Sequence, residues 1–275
     1  MEIFKIEFMQ TVLIAGLLAS IAFGILGSIV VVKRISNITG AISHCILGGI
    51  GASLFLQANY GIEWFTPILG AVFAAVISAL IIGFVSLYAN QREDTIISAV
   101  WVIGMSIGLL FIAKTPGYNT DIMSYLFGNI LMISQGDLTA LIIVDIIVLL
   151  LTVLFYQKIL AVCFDSEFAM LRGVNTKIYH LLLLIIISVS IVFLIRIVGI
   201  VMVIAMLTLP AAIAGEFVKK LWKLMFLSIV LSVFYNTIGI FISFHLDLPT
   251  GPTIIFLFGL SYLFALILKK IKKLS

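Results

Sequence analysis

Nine apolar stretches, at about 9–32, 39–57, 66–88, 95–113, 138–157, 177–195, 198–215, 221–244 and 252–268, dictate the fold class, because a helix crosses a hydrocarbon core of about 30 Å with roughly 17–25 residues. Only short polar breaks separate them. In lipid no water satisfies a free backbone amide, so runs of this length have to be helical, and the period-two alternation of a membrane barrel is absent. Charged residues make up 10% of the chain, against about 25% in a soluble globule. The expectation is an all-α, polytopic integral membrane protein with eight or nine transmembrane helices, forming a single domain over residues 1–275. The count is eight if 198–215, which carries Pro210, is broken or re-entrant. The segment Asp121–Ser134 is shorter and interrupted by Gly128 and Asn129, and reads as a half-helix at one surface. The first stretch is too long for the apolar core of a signal peptide and is read as a retained helix.

Basic residues set the orientation. If the first helix runs from outside to inside, thirteen of the 16 Lys and Arg residues are cytoplasmic, leaving Lys5, Lys114 and Arg196 outside. The half-helix is then extracytoplasmic, and the Lys269–Lys273 cluster lies against anionic lipid on the inner face. Topology accounts for the formal charge of +4, so no nucleic-acid partner is required.

The longest polar-punctuated break, Phe164 to Val174, falls on the cytoplasmic side. Asp165 is placed to cap a short helix that begins at Ser166, Glu167 sits where the helix dipole favours an anion, and Gly173, following Arg172, is placed to end the helix in a left-handed conformation. Phe164, Phe168 and Leu171 recur at helical spacing, giving about two turns of surface helix with an apolar side that needs a partner. This is a docking element.

Few polar groups lie inside the spans. His44, with Gly48, Gly49, Gly51 and Ala52 after it, sits on a face suited to close helix packing; an imidazole there is either functional or hydrogen-bonded to a neighbour. Asp145 is either a relay or ligand, or a carboxyl facing another helix. For Tyr235 and Asn236 an interhelical hydrogen bond is the simpler account. Cys45 and Cys163 offer no disulfide framework. Asp247-Leu248-Pro249-Thr250-Gly251-Pro252 reads as an outer turn whose prolines start the last helix.

Taken in order, Ile42-Ser43-His44, Arg92-Glu93-Asp94-Thr95, Asp121-Ile122-Met123-Ser124-Tyr125-Leu126-Phe127-Gly128, Phe164-Asp165-Ser166-Glu167-Phe168-Ala169 with Gly173-Val174, Val198-Gly199 with Leu209-Pro210-Ala211-Ala212, and Asp247-Leu248-Pro249-Thr250-Gly251-Pro252-Thr253 form a specific pattern. Across nearly the whole chain it resembles the permease subunits of bacterial ABC importers for zinc, manganese and iron, which are related in layout to siderophore and cobalamin permeases. The resemblance implies an inner-membrane, multi-pass transport subunit and no enzyme. Two permeases, a homodimer of this chain being expected, would pair with two ABC ATPase subunits and an extracytoplasmic metal-binding protein. No cofactor is held permanently; the divalent metal ion is cargo. His44 would be a transient pathway ligand, Asp145 a weaker candidate, and Asp165, Ser166, Glu167, Phe168, Leu171, Arg172 and Gly173 would couple to the ATPase.

The pattern has two departures. The family's aspartate one turn before the histidine is Gly40 here, and the acid that often follows the half-helix glycine is Asn129. An imidazole-centred site suits zinc better than the oxygen-loving manganese, though imidazole also binds iron. The chain has no G-x-x-x-x-G-K-[ST], so ATP chemistry must be borrowed. An ion-coupled secondary transporter would need midplane coupling acids, for which Asp145 is the one candidate, and a siderophore or cobalamin permease would not need His44 at its path. A membrane enzyme would need a convergent set that His44, His180 and His245, in unrelated segments, do not supply.

Overall fold

The computed structural model describes residues 7–88, 93–116, 128 and 133–274. Among them it is all helix: α1 (Glu7–Val32), α2 (Ser36–Tyr60), α3 (Pro67–Tyr88), α4 (Glu93–Ala113), α5 (Gln135–Leu154), α6 (Tyr156–Phe164), α7 (Ser166–Leu171), α8 (Thr176–Val198), α9 (Ile200–Phe217), α10 (Leu221–Leu246) and α11 (Thr250–Leu274). Nine of these described helices are long and apolar enough to cross a membrane, matching the nine stretches read from sequence. The half-helix expected over 121–134 lies outside the described residues apart from Gly128, Ile133 and Ser134, as does Arg92.

The doubtful stretch is a helix. α9 runs unbroken for 18 residues through Pro210, and the chain breaks instead at Gly199, whose φ of 81° precedes it. Eighteen residues give about 27 Å of helix, just sufficient for a span. A proline is tolerated in such a helix because neighbouring groups and small local adjustments re-satisfy the freed carbonyl. The C-terminal basic cluster is a continuation of α11 rather than a loose tail, and Lys269 pairs with Glu216 of α9.

The chain folds as two compact units. The first comprises residues 1–34, 123–156 and 193–275. α1 is its axis, packing against α5, α9 and α10, with α11 laid on α9 and α10. Small residues let α1 serve this way: Ala15, Ala19, Ala22, Ser20 and Ser28 are wholly buried. Its polar groups are satisfied between helices or along their own. Ser28 Oγ donates to the Gly24 carbonyl at 2.6 Å, and Asn236 Nδ2 of α10 donates to Ser20 Oγ at 2.9 Å. That bond is the interhelical role expected of Asn236, while Tyr235 packs its ring on Phe258 at 4.6 Å.

α5 starts with a reciprocal cap in the same unit. Asp137 N–H donates to Ser134 Oγ at 3.2 Å, and Ser134 N–H returns a bond to Asp137 Oδ2 at 3.0 Å. The other Asp137 oxygen meets Arg196 Nη1 at 2.9 Å, so one of the three basic residues assigned outside is held by an acid.

The second unit comprises residues 35–122 and 157–192. α2 is its axis, packed on α3 and α4. Outward faces of the span helices carry exposed Phe73, Ile77, Phe84, Val102, Ile103 and Leu110 in this unit, and Ile143, Ile146, Leu150, Phe256 and Leu263 in the other. So much contiguous apolar surface would be an aggregation liability in water and is the expected boundary with lipid.

Candidate functional site

Two places carry the chemistry that the sequence singled out, and both lie in the second unit. The first is the face that α2 turns to α4. Glycines bring these helices to backbone contact: a Cβ on Gly48 would stand 2.9 Å from the Gly104 carbonyl oxygen, and one on Gly51 would stand 2.5 Å from that of Gly108. Cys45 completes the seam, its Sγ donating to the Val100 carbonyl at 3.0 Å. Neither Cys45 nor Cys163 is in a disulfide.

Above this seam His44 is half-buried and stacks on Trp101 of α4, ring centroids 4.7 Å apart and planes 19° from parallel. Its Nδ1 is buried and makes no hydrogen bond among the described residues. The ring is positioned by stacking, which leaves Nδ1 with a lone pair or proton still to be matched. Gly40, one turn earlier, lies under the same indole: a Cβ there would be 3.0 Å from Trp101 Cζ3 and 3.2 Å from Cη2.

Asp145 belongs to the first unit, on α5 where that helix packs against α1. It is 4% exposed and faces the Ala22 backbone of α1, although neither carboxylate oxygen makes a hydrogen bond of ordinary geometry among the described residues. An ionised carboxylate so placed is costly unless something neutralises it. Among the described residues no three His, Cys, Asp or Glu side chains converge as a cage for a metal ion. Among the described residues the candidate donors are therefore one imidazole and one carboxyl, each in a different unit.

The second place is α7. Asp165 is its N-cap and accepts from Phe168 N–H at 2.9 Å, with Glu167 in the first turn. At the other end Gly173 takes φ 79°, and its N–H bonds the Met170 carbonyl while Val174 N–H bonds that of Ala169. This paired closure satisfies the last carbonyls and requires the left-handed residue that glycine supplies without steric cost. Only Ala169 is buried; Phe164, Ser166, Phe168, Met170 and Leu171 are exposed, Leu171 at 87%. The Arg172 guanidinium lies 5.1 Å from the Phe168 ring centre. The result is a rigid knob with an apolar crown.

The sequence from residue 5 to residue 269 matches the profile of the ABC 3 transport family. The chain belongs to that family. It is similar to the "Probable metal transport system membrane protein" of Chlamydia pneumoniae, 42% identical over 94% of this chain and 87% of the other. It is also similar to a manganese transport system membrane protein of Listeria monocytogenes, 32% identical over 94% of this chain and 91% of the other. In fold it matches the solved structure of PsaBC from Streptococcus pneumoniae in complex with Fab, with a TM-score of 0.83, 27% identity, and coverage of 96% of this chain and 92% of that one. An ABC 3 chain of this build is a metal importer's permease, a multi-pass transport subunit of the bacterial inner membrane whose ATP hydrolysis belongs to a separate ATPase.

Sequence reasoning missed two parts of this permease's candidate site. Trp101 was unremarked because one aromatic in an apolar span carries no local signal. The α4 side of the seam did have one, since Gly104 and Gly108 are spaced as the small-xxx-small pattern of close helix contact.

Proposed function

We propose that this chain forms the ion pathway of an ATP-driven divalent metal importer, zinc favoured, as one of two permease subunits, with the whole chain acting as a single permease domain. His44 is the transient ligand on the path. The observation that carries this reading is its half-buried, stacked imidazole with an unpartnered Nδ1 in a membrane-spanning helix, beside a glycine where no second donor is available. A single nitrogen donor holds a borderline cation weakly enough to release it. Asp145 is the reserve candidate, a buried carboxyl without a hydrogen bond of ordinary geometry among the described residues.

The exposed knob formed by Asp165, Ser166, Glu167, Phe168, Leu171, Arg172 and Gly173 is the contact for the ATPase, and it is supported by its rigidity and its unpartnered apolar crown. The assembly takes its ion from an extracytoplasmic metal-binding protein, and the second permease is another copy of this chain. Manganese is the second reading, favoured by relatives named for manganese transport.

The test is ATP-dependent uptake of zinc, manganese and iron by the reconstituted complex, normalised to assembled protein, with and without His44→Ala. The variant is expected to lose at least about tenfold in uptake of the preferred ion. Unchanged normalised uptake removes His44 from the pathway.

A further inference from the structure

An open groove of about 470 Å³ lies between α9, α10 and α11, all in the first unit, where Ile213, Phe217, Leu231, Tyr235, Phe264 and Leu268 line it. Phe217 ends α9, and Leu268 precedes the Lys269 that pairs with Glu216, so the groove begins at the end of these helices that the basic residues place in the cytoplasm. From there it runs inward. Counted from Leu221, Leu231 and Tyr235 stand about 15 and 21 Å along α10, a depth close to one leaflet of a hydrocarbon core about 30 Å thick. The two polar residues in its wall offer little to a polar guest: Tyr235 packs its ring on Phe258, and Ser261 Oγ donates to the Leu257 carbonyl of its own helix at 2.8 Å. Phe217 and Phe264 on its flanks are each 62% exposed, so the groove is open to whatever surrounds these helices.

Positive charge gathers at its mouth. Lys219 and Lys220 form the turn from α9 to α10, and Lys269 and Lys270 follow Leu268 on α11, all four exposed. One acid, Glu216, stands against them and is already paired with Lys269; the other acid of this stretch, Asp247, caps the far end of α10. An apolar slot about one leaflet deep beneath a cationic mouth matches the two halves of an anionic phospholipid. A second copy of this chain fits worse, because a two-fold contact through this face would bring the same patch against itself, lysines facing lysines. A zwitterionic lipid would fill the slot and gain little at the mouth.

We propose that this groove is a binding site for one anionic phospholipid of the inner leaflet, with an acyl chain between α9, α10 and α11 and the phosphate held by Lys219, Lys220 and Lys270. The chain completes the packing beside α9, which at 18 residues is just long enough to span. This lipid is a structural ligand of the first unit, whichever residue carries the metal.

The test is native mass spectrometry of the full chain, delipidated in detergent and titrated with dioleoyl phosphatidylglycerol or dioleoyl phosphatidylcholine. The native chain is expected to hold one phosphatidylglycerol at least about tenfold more tightly than phosphatidylcholine. Lys219→Gln combined with Lys220→Gln should bring the two lipids within about twofold of each other. Ser261→Trp fills the groove and should lose the tightly held phosphatidylglycerol although every lysine remains. Equal binding of the two lipids by the native chain overturns the proposal, as does undiminished phosphatidylglycerol binding in Ser261→Trp. Light scattering on the delipidated chain covers the competing occupant: if Ser261→Trp turns a dimer into a monomer, the groove is a subunit contact and no lipid site. Where Ser261→Trp yields no monodisperse protein, the exposed lysine pair decides, and a preference for phosphatidylglycerol that survives its replacement overturns the proposal.

Discussion

α7 and the His44 face of α2 are the two regions for which a function is proposed, and they are built by opposite means. Everything that shapes α7 lies within ten residues of chain: the Asp165 cap, the Glu167 charge, the Gly173 reversal. The His44 face is shaped by residues 55 to 61 positions from their partners, since Val100, Trp101, Gly104 and Gly108 come from another helix. A locally determined element tolerates change around it and fails at its ends. A face determined at a distance fails wherever the two backbones meet.

The largest effect that follows is at the seam. Gly51→Leu places a branched side chain against the Gly108 backbone, which has no flexible end to yield, so its cost exceeds the roughly 1–3 kcal/mol of ordinary overpacking. Monodisperse protein should vanish from size-exclusion profiles in detergent; normal yield would mean that α2 and α4 do not meet as described.

Next comes Glu167→Lys. Because Glu167 is an exposed residue of a helix capped by its own neighbours, the variant should insert and purify normally, yet lose ATPase association and at least about tenfold of uptake through the reversed charge at the helix start. Retained association and uptake would detach the knob from the ATPase contact.

How much of each region was legible follows from the same contrast. Asp165, Gly173 and the spacing of Phe164, Phe168 and Leu171 announced α7 correctly down to its caps, and nine spans were readable because lipid imposes length and apolarity on each helix separately. His44 and the glycines after it were visible as one half of a contact. Trp101 was not, since pairing between helices is set by packing that no single helix encodes. α6 was also missed: its nine residues mix apolar and polar groups and fall below span length. Gly40 reads from the sequence as a missing ligand, and the structure adds that the Trp101 indole lies 3.0–3.2 Å from where its Cβ would stand.

A smaller effect belongs to the cap. Asp165→Ala removes the acceptor for Phe168 N–H and should cost about 1 kcal/mol locally. Hydrogen exchange at that amide should rise by roughly fivefold, with the melting temperature of the whole protein unmoved and uptake reduced less than by Glu167→Lys. A fall in global melting temperature would tie α7 to the core and erase the contrast.

The smallest perturbation tests sidedness. In a chain with Cys45 and Cys163 replaced by serine or alanine, a cysteine at Asn59, at the exposed end of α2, should react with an impermeant thiol reagent from outside, and one at Glu167 should react only from inside. Reversed labelling inverts the orientation and removes α7 from the cytoplasm.

α2 is gripped on its other flank as well, where Gly49 meets the Gly70 backbone of α3 more closely than Gly48 and Gly51 meet α4. Main chain against main chain on two sides leaves no layer of soft side chains to compress. The three helices therefore behave as one stiff lever. A displacement applied to any one of them is shared by the others, and His44 moves with α2 rather than within it.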